Sequence, residues 1–368
     1  MSSVKELCLE VLPAKHGDCL LLRWGSEPDY RSMLIDAGPA PAYDGIANRL
    51  RALDARALDV LVLTHVDADH VEGAILAVND SDLGLSIGEI WYNGAPHLTT
   101  ELGPVQGEIL GTLISELSIP WNTSFGGDAV RAPQSGNLTT RELPGDLRLT
   151  VLAPDTGALR KLRDMWWEAC REAGIATGSA ADALAALRAK PALSPEQSYL
   201  SGPEVRNIRD LARARAGADL SVPNASSIVL LAEYGDIRLL LTGDATPAVL
   251  APAVQRLLAE RNVTSFPLTA LKMPHHGSAK NITAELVRQL PARHYVFSTN
   301  GDYFKHPDDT AVATVLEHGP ADLELAFNYD TSRTRAWDDS RLLDHYGYQV
   351  RYPEEDAAGI ELVWRSPA

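Results

Sequence analysis

The chain has 368 residues, 45% of them hydrophobic and 22% charged, with a formal net charge of −16. That composition excludes a chain dominated by disorder and leaves room for one large core or two modest domains. The acidic balance argues against a broad nucleic-acid-coating surface, which needs clustered Lys and Arg, but not against a phosphate substrate in a pocket where bound cations set the charge.

Residues 6–12 and 19–24 read as strands separated by the polar turn Lys15-His16-Gly17-Asp18. A third strand, 31–35, stops at Asp36-Ala37-Gly38-Pro39. A helix follows over 46–53, and 59–63 is a continuous apolar strand of the kind buried on both faces. It runs straight into His65-Val66-Asp67-Ala68-Asp69-His70, with a helix expected over 71–78 and a strand over 89–92. Strands are expected again at 147–152, 228–233 and 237–241, the last two joined by a hairpin turn at Tyr234-Gly235-Asp236. Later strands fall at 269–273 and 294–298, and 347–364 reads as a closing hairpin.

Residues 155–222 break this rhythm. They hold no strand-like run, and 159–172, 180–190 and 203–216 look helical, so the segment reads as a helical insertion into a single domain spanning 1–368. Arg206, Arg209 and Arg213 fall on one helical face of it. Its Trp166-Trp167 pair reads as packing against the core, with stacking on a substrate base as the lesser alternative. No internal repeat is evident. Cys8, Cys19 and Cys170 follow no ligand or disulfide spacing and suit a reducing compartment. The opening MSSVKELCLEVLP lacks the blocks of a secretory leader, and the apolar runs are strand-length, so a cytoplasmic chain without a membrane segment is expected.

The polar segments cluster at strand ends, where rigid scaffolds present reactive groups. The 65–70 run packs two His and two Asp into six residues, and imidazole nitrogens and carboxylate oxygens are ligands of zinc, manganese or iron. The plainer reading is a polar turn with Asp69 capping the next helix. Asp244, in Thr242-Gly243-Asp244, is either a turn residue or a carboxylate bridging two cations. His275 and His276, before Gly277, are either a surface pair or ligands. Asp36 is either a turn residue or the carboxylate that orients a ligand histidine. His16 and Asp18 fit simple turn chemistry equally well. His306, before Pro307, is a loop histidine, a proton donor or a contact for a phosphate oxygen.

Together these segments resemble the metallo-β-lactamase superfamily, most closely the branch found as the soluble domain of bacterial competence DNA-uptake channels. The matching stretches are Lys15 to Cys19, Asp36 to Gly38, HVDADHVEG with Glu72 where a glycine is usual, Asn224 to Ile228 with Ser227, TGD at 242–244, PHHGS at 274–278, and a run from Asn300 to Pro307. The resemblance implies an α/β fold, a four-layer αββα sandwich with a dinuclear site at one edge. It places His65 and Asp67 on one divalent ion, Asp69 and His70 on the other, Asp244 between them, and His275 or His276 completing the second. Asp67 stands where the superfamily more often has histidine, which makes the site oxygen-rich and suits manganese beside zinc. The separate histidine of the first ion has no counterpart, and Asn224 stands in that part of the motif series. Asp18, Asp36, Asn224, Ser227 and Asn300 would support the ligands or the substrate, and Asp69, the remaining member of the His275/His276 pair and His306 would act in catalysis.

The function implied is a metal-dependent hydrolase, foremost a phosphodiesterase or nuclease acting on single-stranded nucleic acid or a small phosphodiester. A carboxyl-ester, thioester or lactone hydrolase of the same fold is the nearest alternative. A metal-binding regulatory protein without turnover, docking a protein partner through the insertion, is the third.

Overall fold

The computed structural model describes residues 5–26, 29–53, 57–98, 105–173, 207–355, 357 and 359–366. One sheet contains β1 (Lys5–Val11), β2 (Leu20–Ser26), β3 (Asp29–Ile35), β4 (Ala57–Leu63), β5 (Ser86–Tyr92) and β14 (Ile360–Ser366), in the order β14-β1-β2-β3-β4-β5. The second has β6 (Thr139–Leu143), β7 (Leu147–Ala153), β8 (Val229–Tyr234), β9 (Ile237–Leu241), β10 (Leu268–Lys272), β11 (Ala292–Phe297), β12 (Glu324–Phe327) and β13 (Gln349–Arg351), in the order β13-β12-β11-β10-β9-β8-β7-β6.

The two sheets repeat one plan that the residues do not advertise. In each, three strands run as an antiparallel meander, β1-β2-β3 and β7-β8-β9, and the next two strands then add in parallel, each to the strand before it. Parallel pairing needs a crossover, and a helix supplies it. Helix α1 (Tyr43–Arg51) links β3 to β4 and α2 (Ala68–Val78) links β4 to β5, as the helices Pro247–Arg261 and Ala284–Gln289 do for β9, β10 and β11. The segments leaving β3, β4, β9 and β10 at their carboxyl ends are those that carry Asp36, His65 to His70, Asp244 and His275-His276.

Alternation along the strands builds the layers. Val60 and Val62 of β4 face the core between the sheets, while Leu61 and Leu63 pack under helices on the outer face. In β9, Leu239 and Leu241 point inward, and Leu240 packs beneath the helices of the opposite outer layer. Each such side chain, removed from water, contributes about 1.5–3 kcal/mol. The result is the expected α/β arrangement of helices, two sheets and helices.

Most predicted elements are present within a few residues, and four differences have local causes. Helix α2 begins at Ala68, not Val71, because its first turn is polar and only its later turns are apolar; Asp69 and His70 therefore ride on the helix itself. The tail is not a hairpin: β13 joins β12 in one sheet and β14 joins β1 in the other, so the chain crosses the sandwich between them. The strand β6, TTREL, is too polar to read as a strand, and the helix Pro247–Arg261 hides behind its internal Pro252. Of the 155–222 segment, helices α4 (Thr156–Ala173, following α3 at Val105–Glu116) and Ile208–Arg213 are present, whereas the predicted 180–190 helix and Arg206 lie outside the described residues. Leu159 and Leu162 pack on the first sheet's outer layer and Ile208 on the second's. Among the described residues no helix is long and apolar enough to cross a membrane.

Candidate metal centre

Two backbone close approaches bring the loops together. Gly17 lies against the first turn of α2, where any Cβ would fall 1.9 Å from the Asp69 carbonyl oxygen. Gly73 lies against the turn after β3, where a Cβ would fall 1.8 Å from the Ala37 oxygen. Glu72, in place of a second glycine, is buried and accepts from the Ala40 N–H at 3.2 Å.

Asp36, in left-handed backbone at φ 57°, ends β3 and anchors the first half. Its carboxylate accepts from the Thr64 N–H at 2.8 Å, from the Thr64 hydroxyl at 2.7 Å and from His70 Nδ1 at 2.7 Å. The Thr64 hydroxyl, having given its proton to Asp36, accepts from His65 Nδ1 at 3.0 Å. Both histidines thus donate from Nδ1 and present Nε2 lone pairs. On the other sheet, His275, His276 and Gly277 take three successive left-handed conformations, at φ 48°, 57° and 88°, an arrangement that costs non-glycine residues about 1–3 kcal/mol each. That turn aims His276 inward: its Nδ1 donates to the Ser298 carbonyl at 2.8 Å and faces Asp18 at 3.2 Å.

Asp244 sits where these groups meet. Its Oδ2 is 3.4 Å from His70 Nε2, 3.5 Å from His276 Nε2 and 3.7 Å from His275 Nε2. His65 joins His70 and Asp244 in one compact donor group, and Asp69, His70 and His276 form a second. Asp67, at the start of α2, is 3.5 Å from His65 Nε2, and Asp69 is 3.8 Å from His276 Nε2. The Nε2 atoms of His65, His70 and His276 and Oδ1 of Asp244 are buried without hydrogen-bond partners. Buried polar atoms are seldom left so, and the chemistry of these His and Asp donors fits divalent metal ligation.

The supporting residues divide. Ser227 Oγ accepts from the Asp244 N–H at 3.2 Å. Asn224 stands behind His275, 3.3 Å from Nδ1, and donates to Asp219 rather than joining the ligand atoms. Asn300 is not brought to the cluster; its side chain binds Asp302 and its N–H donates to the Lys15 carbonyl. His306 lies with its ring 5.4 Å from that of His275 and its Nδ1 3.2 Å from Asp308. Burial pushes the His306 pKa down, only partly offset by Asp308, so the ring is neutral near pH 7.

Two further residues of the site carry no motif in the sequence. Asp219, at the end of the 155–222 segment, reaches His275 Nδ1 at 3.4 Å and accepts from Asn281 at 2.8 Å; no motif marks it. Lys272 is the larger omission. It is fully buried on β10, forms an ion pair with Asp18, donates to the Gly243 carbonyl at 3.2 Å and lies 3.8 Å from Asp244. A lysine inside the apolar strand Leu268–Lys272 was the available signal. Burial works against its charge, but Asp18 and Asp244 outweigh that and raise its pKa. Asp18, despite burial, is held well below the usual carboxylate range by Lys272 and His276.

Residues 13–92 match the family model of the metallo-beta-lactamase superfamily. No curated protein matches the chain. Among solved structures, the metallo-beta-lactamase fold protein YhfI from Bacillus subtilis aligns over 98% of this chain and 100% of its own at 10% identity and a TM-score of 0.42. The metallo-beta-lactamase MIM-1 from Novosphingobium pentaromativorans aligns over 84% of this chain and 89% of its own at 14% identity and a TM-score of 0.30. The superfamily match suggests a metal-dependent hydrolase, and the superfamily typically binds divalent metals through His and Asp clusters such as these.

Two outcomes follow from the electrostatics. Lys272→Met leaves the buried Asp18 charge answered only by His276 and should cost about 3–5 kcal/mol in denaturant unfolding. Adding Asp18→Asn should restore much of that loss; additive losses would show that the pair is not coupled. The second outcome concerns pH. Burial opposes protonation of His276, but Asp244 and Asp18 raise its pKa to about 9 in the metal-free chain. Its stabilisation is therefore complete below the unfolded pKa of about 6.5 and fades as pH rises toward that of the folded state. Metal ligation requires the neutral ring, so stabilisation by metal grows over the same window. Thermal melts with chelator and with Zn²⁺ should diverge as pH rises, and parallel curves would remove His276 from the ligand set.

Proposed function

We propose that the chain is a phosphodiesterase that uses two divalent ions, zinc or manganese, on single-stranded nucleic acid or a small phosphodiester. The observation that supports it most is the oxygen-rich donor set, with Asp67 and Asp69 flanking the four imidazoles around Asp244. Such hard donors suit ions that handle phosphoryl oxygens. The motif resemblance to the competence DNA-uptake branch points the same way, and the acidic surface favours single strands or small substrates over long duplexes.

In this reading His65 and Asp67 would serve one ion, Asp69 and His70 the other, with Asp244 between them and His275 or His276 completing the second. The ions supply a water of lowered pKa and polarisation of the phosphoryl oxygen. The chain's own groups do the rest. Asp36 and Thr64 fix the tautomers of His70 and His65, while Ser298 and Asp18 fix that of His276. Asp219 and Asn281 restrain His275. Asp69, partly open to solvent, accepts the proton of the attacking water at a carboxylate oxygen. His306, neutral at rest and held at Nδ1 by Asp308, would take up a proton at Nε2 from solvent and give it to the leaving oxygen, which departs as the alcohol. We further assign cytoplasmic location and a capping role for the 155–222 segment, whose end supplies Asp219.

Metal analysis of untagged protein should find about two ions per chain, with clear losses in Asp69→Ala and His276→Ala. Unchanged content in Asp69→Ala would refute its place as a ligand. An aryl phosphodiester, single-stranded DNA, RNA and an aryl ester should be compared with Mn²⁺ and Zn²⁺. Cleavage of the ester alone would move the assignment to acyl hydrolysis, and no cleavage of any phosphodiester would end it. His306→Phe should lower kcat by about 100-fold or more at unchanged metal content.

A further inference from the structure

The loop 300–307 carries two aromatic side chains that no ligand needs. Tyr303 and Phe304 are 45% and 44% exposed, and among the described residues they are the only aromatics in the set of exposed large apolar side chains. They stand at the mouth of the metal centre. Phe304 lies 6.3 Å from the ring of His275 and 6.1 Å from that of His306, nearly parallel to the latter. Tyr303 meets Phe304 edge-on at 4.5 Å, and His16 closes the row at 5.3 Å from Tyr303 and 5.9 Å from Phe304. The result is an aromatic wall running outward from a candidate ligand.

The loop is held in place from within. Asn300 binds Asp302 at 2.8 Å, the Gly301 N–H donates to the Thr299 hydroxyl at 3.1 Å, and Lys305 Nζ donates to the Asp302 carbonyl at 2.8 Å. The Asn300 N–H ties the loop to the Lys15 carbonyl on the β1–β2 turn. A loop fixed before a ligand arrives loses little entropy on binding it. Charges of both signs border the loop: Lys15 adjoins His16 in sequence and the Arg333 side chain packs against Gly301, while Asp302 lies within the loop itself. An acyl chain would use the apolar rings but has no use for the cations, whereas a base-bearing phosphate chain uses both.

We propose that Tyr303 and Phe304 form a stacking subsite for an unpaired nucleobase, with Lys15 and Arg333 beside its phosphate chain. The inference rests on the phosphodiester reading for what lies at the metal centre, and deepens it by naming what the substrate carries. Stacking on an aromatic side chain does not depend on which base is present, since every base has a face to offer.

The test is binding to the metal-loaded protein of a short phosphorothioate oligothymidylate and of an abasic oligomer of the same length and charge. The base-bearing strand should bind about fivefold tighter or more. Phe304→Ala and Tyr303→Ala should each erase most of that difference while leaving the melting temperature and metal content unchanged, and Phe304→Trp should retain it. Equal affinity of the wild type for the two oligomers, or binding of neither, overturns the subsite without reference to any variant. A base preference that survives the double alanine variant overturns it too. Base preference without phosphodiester cleavage would end the reaction assigned above and keep the subsite; cleavage without base preference would do the reverse.

Discussion

Buried negative charge is the constraint around which the centre is organised. Asp18, Asp36 and Asp244 are almost wholly removed from solvent within a few side chains of one another, and Lys272 is the one fully buried lysine or arginine among the described residues. Carboxylates that close repel unless something answers them. Lys272 answers Asp18 and part of Asp244, the imidazoles answer Asp36 and the rest of Asp244, and divalent ions would complete the balance. The hydrogen bonds at Thr64, Ser298, Ser227 and Asn281 make sense as restraints on groups that electrostatics would otherwise spread apart.

This explains which parts of the site were legible in the residues. His65 to His70 announces itself because four donors fall within six positions, and the apolar run before it fixes where the strand ends. Asp36 and Asp244 could be ranked only as turn residues with a second option, since what decides them is contact with side chains far along the chain, His70 for one and three histidines for the other. Lys272 was passed over because a lysine in a strand reads as surface until its burial is known. Asp219 had no local mark at all; it matters only through His275. Asn300 erred the other way, a motif position whose amide is spent on its own loop.

The fold was legible where side-chain period and strand length agree, as in β4 and β9, and illegible where one sheet edge depends on a distant segment. β13 and β14 lie close in sequence yet border different sheets, because the intervening residues carry the chain from one layer to the other. The superfamily match over 13–92 falls on the half whose ligands are clustered in sequence. The second half repeats the strand plan of the first with its donors scattered over Asp244, His275 and His276.

That shared plan has a mechanical consequence. One sheet delivers His65, Asp67, Asp69 and His70, and the other delivers Asp244, His275 and His276, so under the proposed assignment neither half would own a complete coordination shell. Any ion seated there fastens two separately woven layers at a single rim. Prying the layers apart would mean surrendering the ion, and withdrawing the ion would unlatch the layers at that rim. An ion held there would thus be as much a clasp for the sandwich as a part of its chemistry.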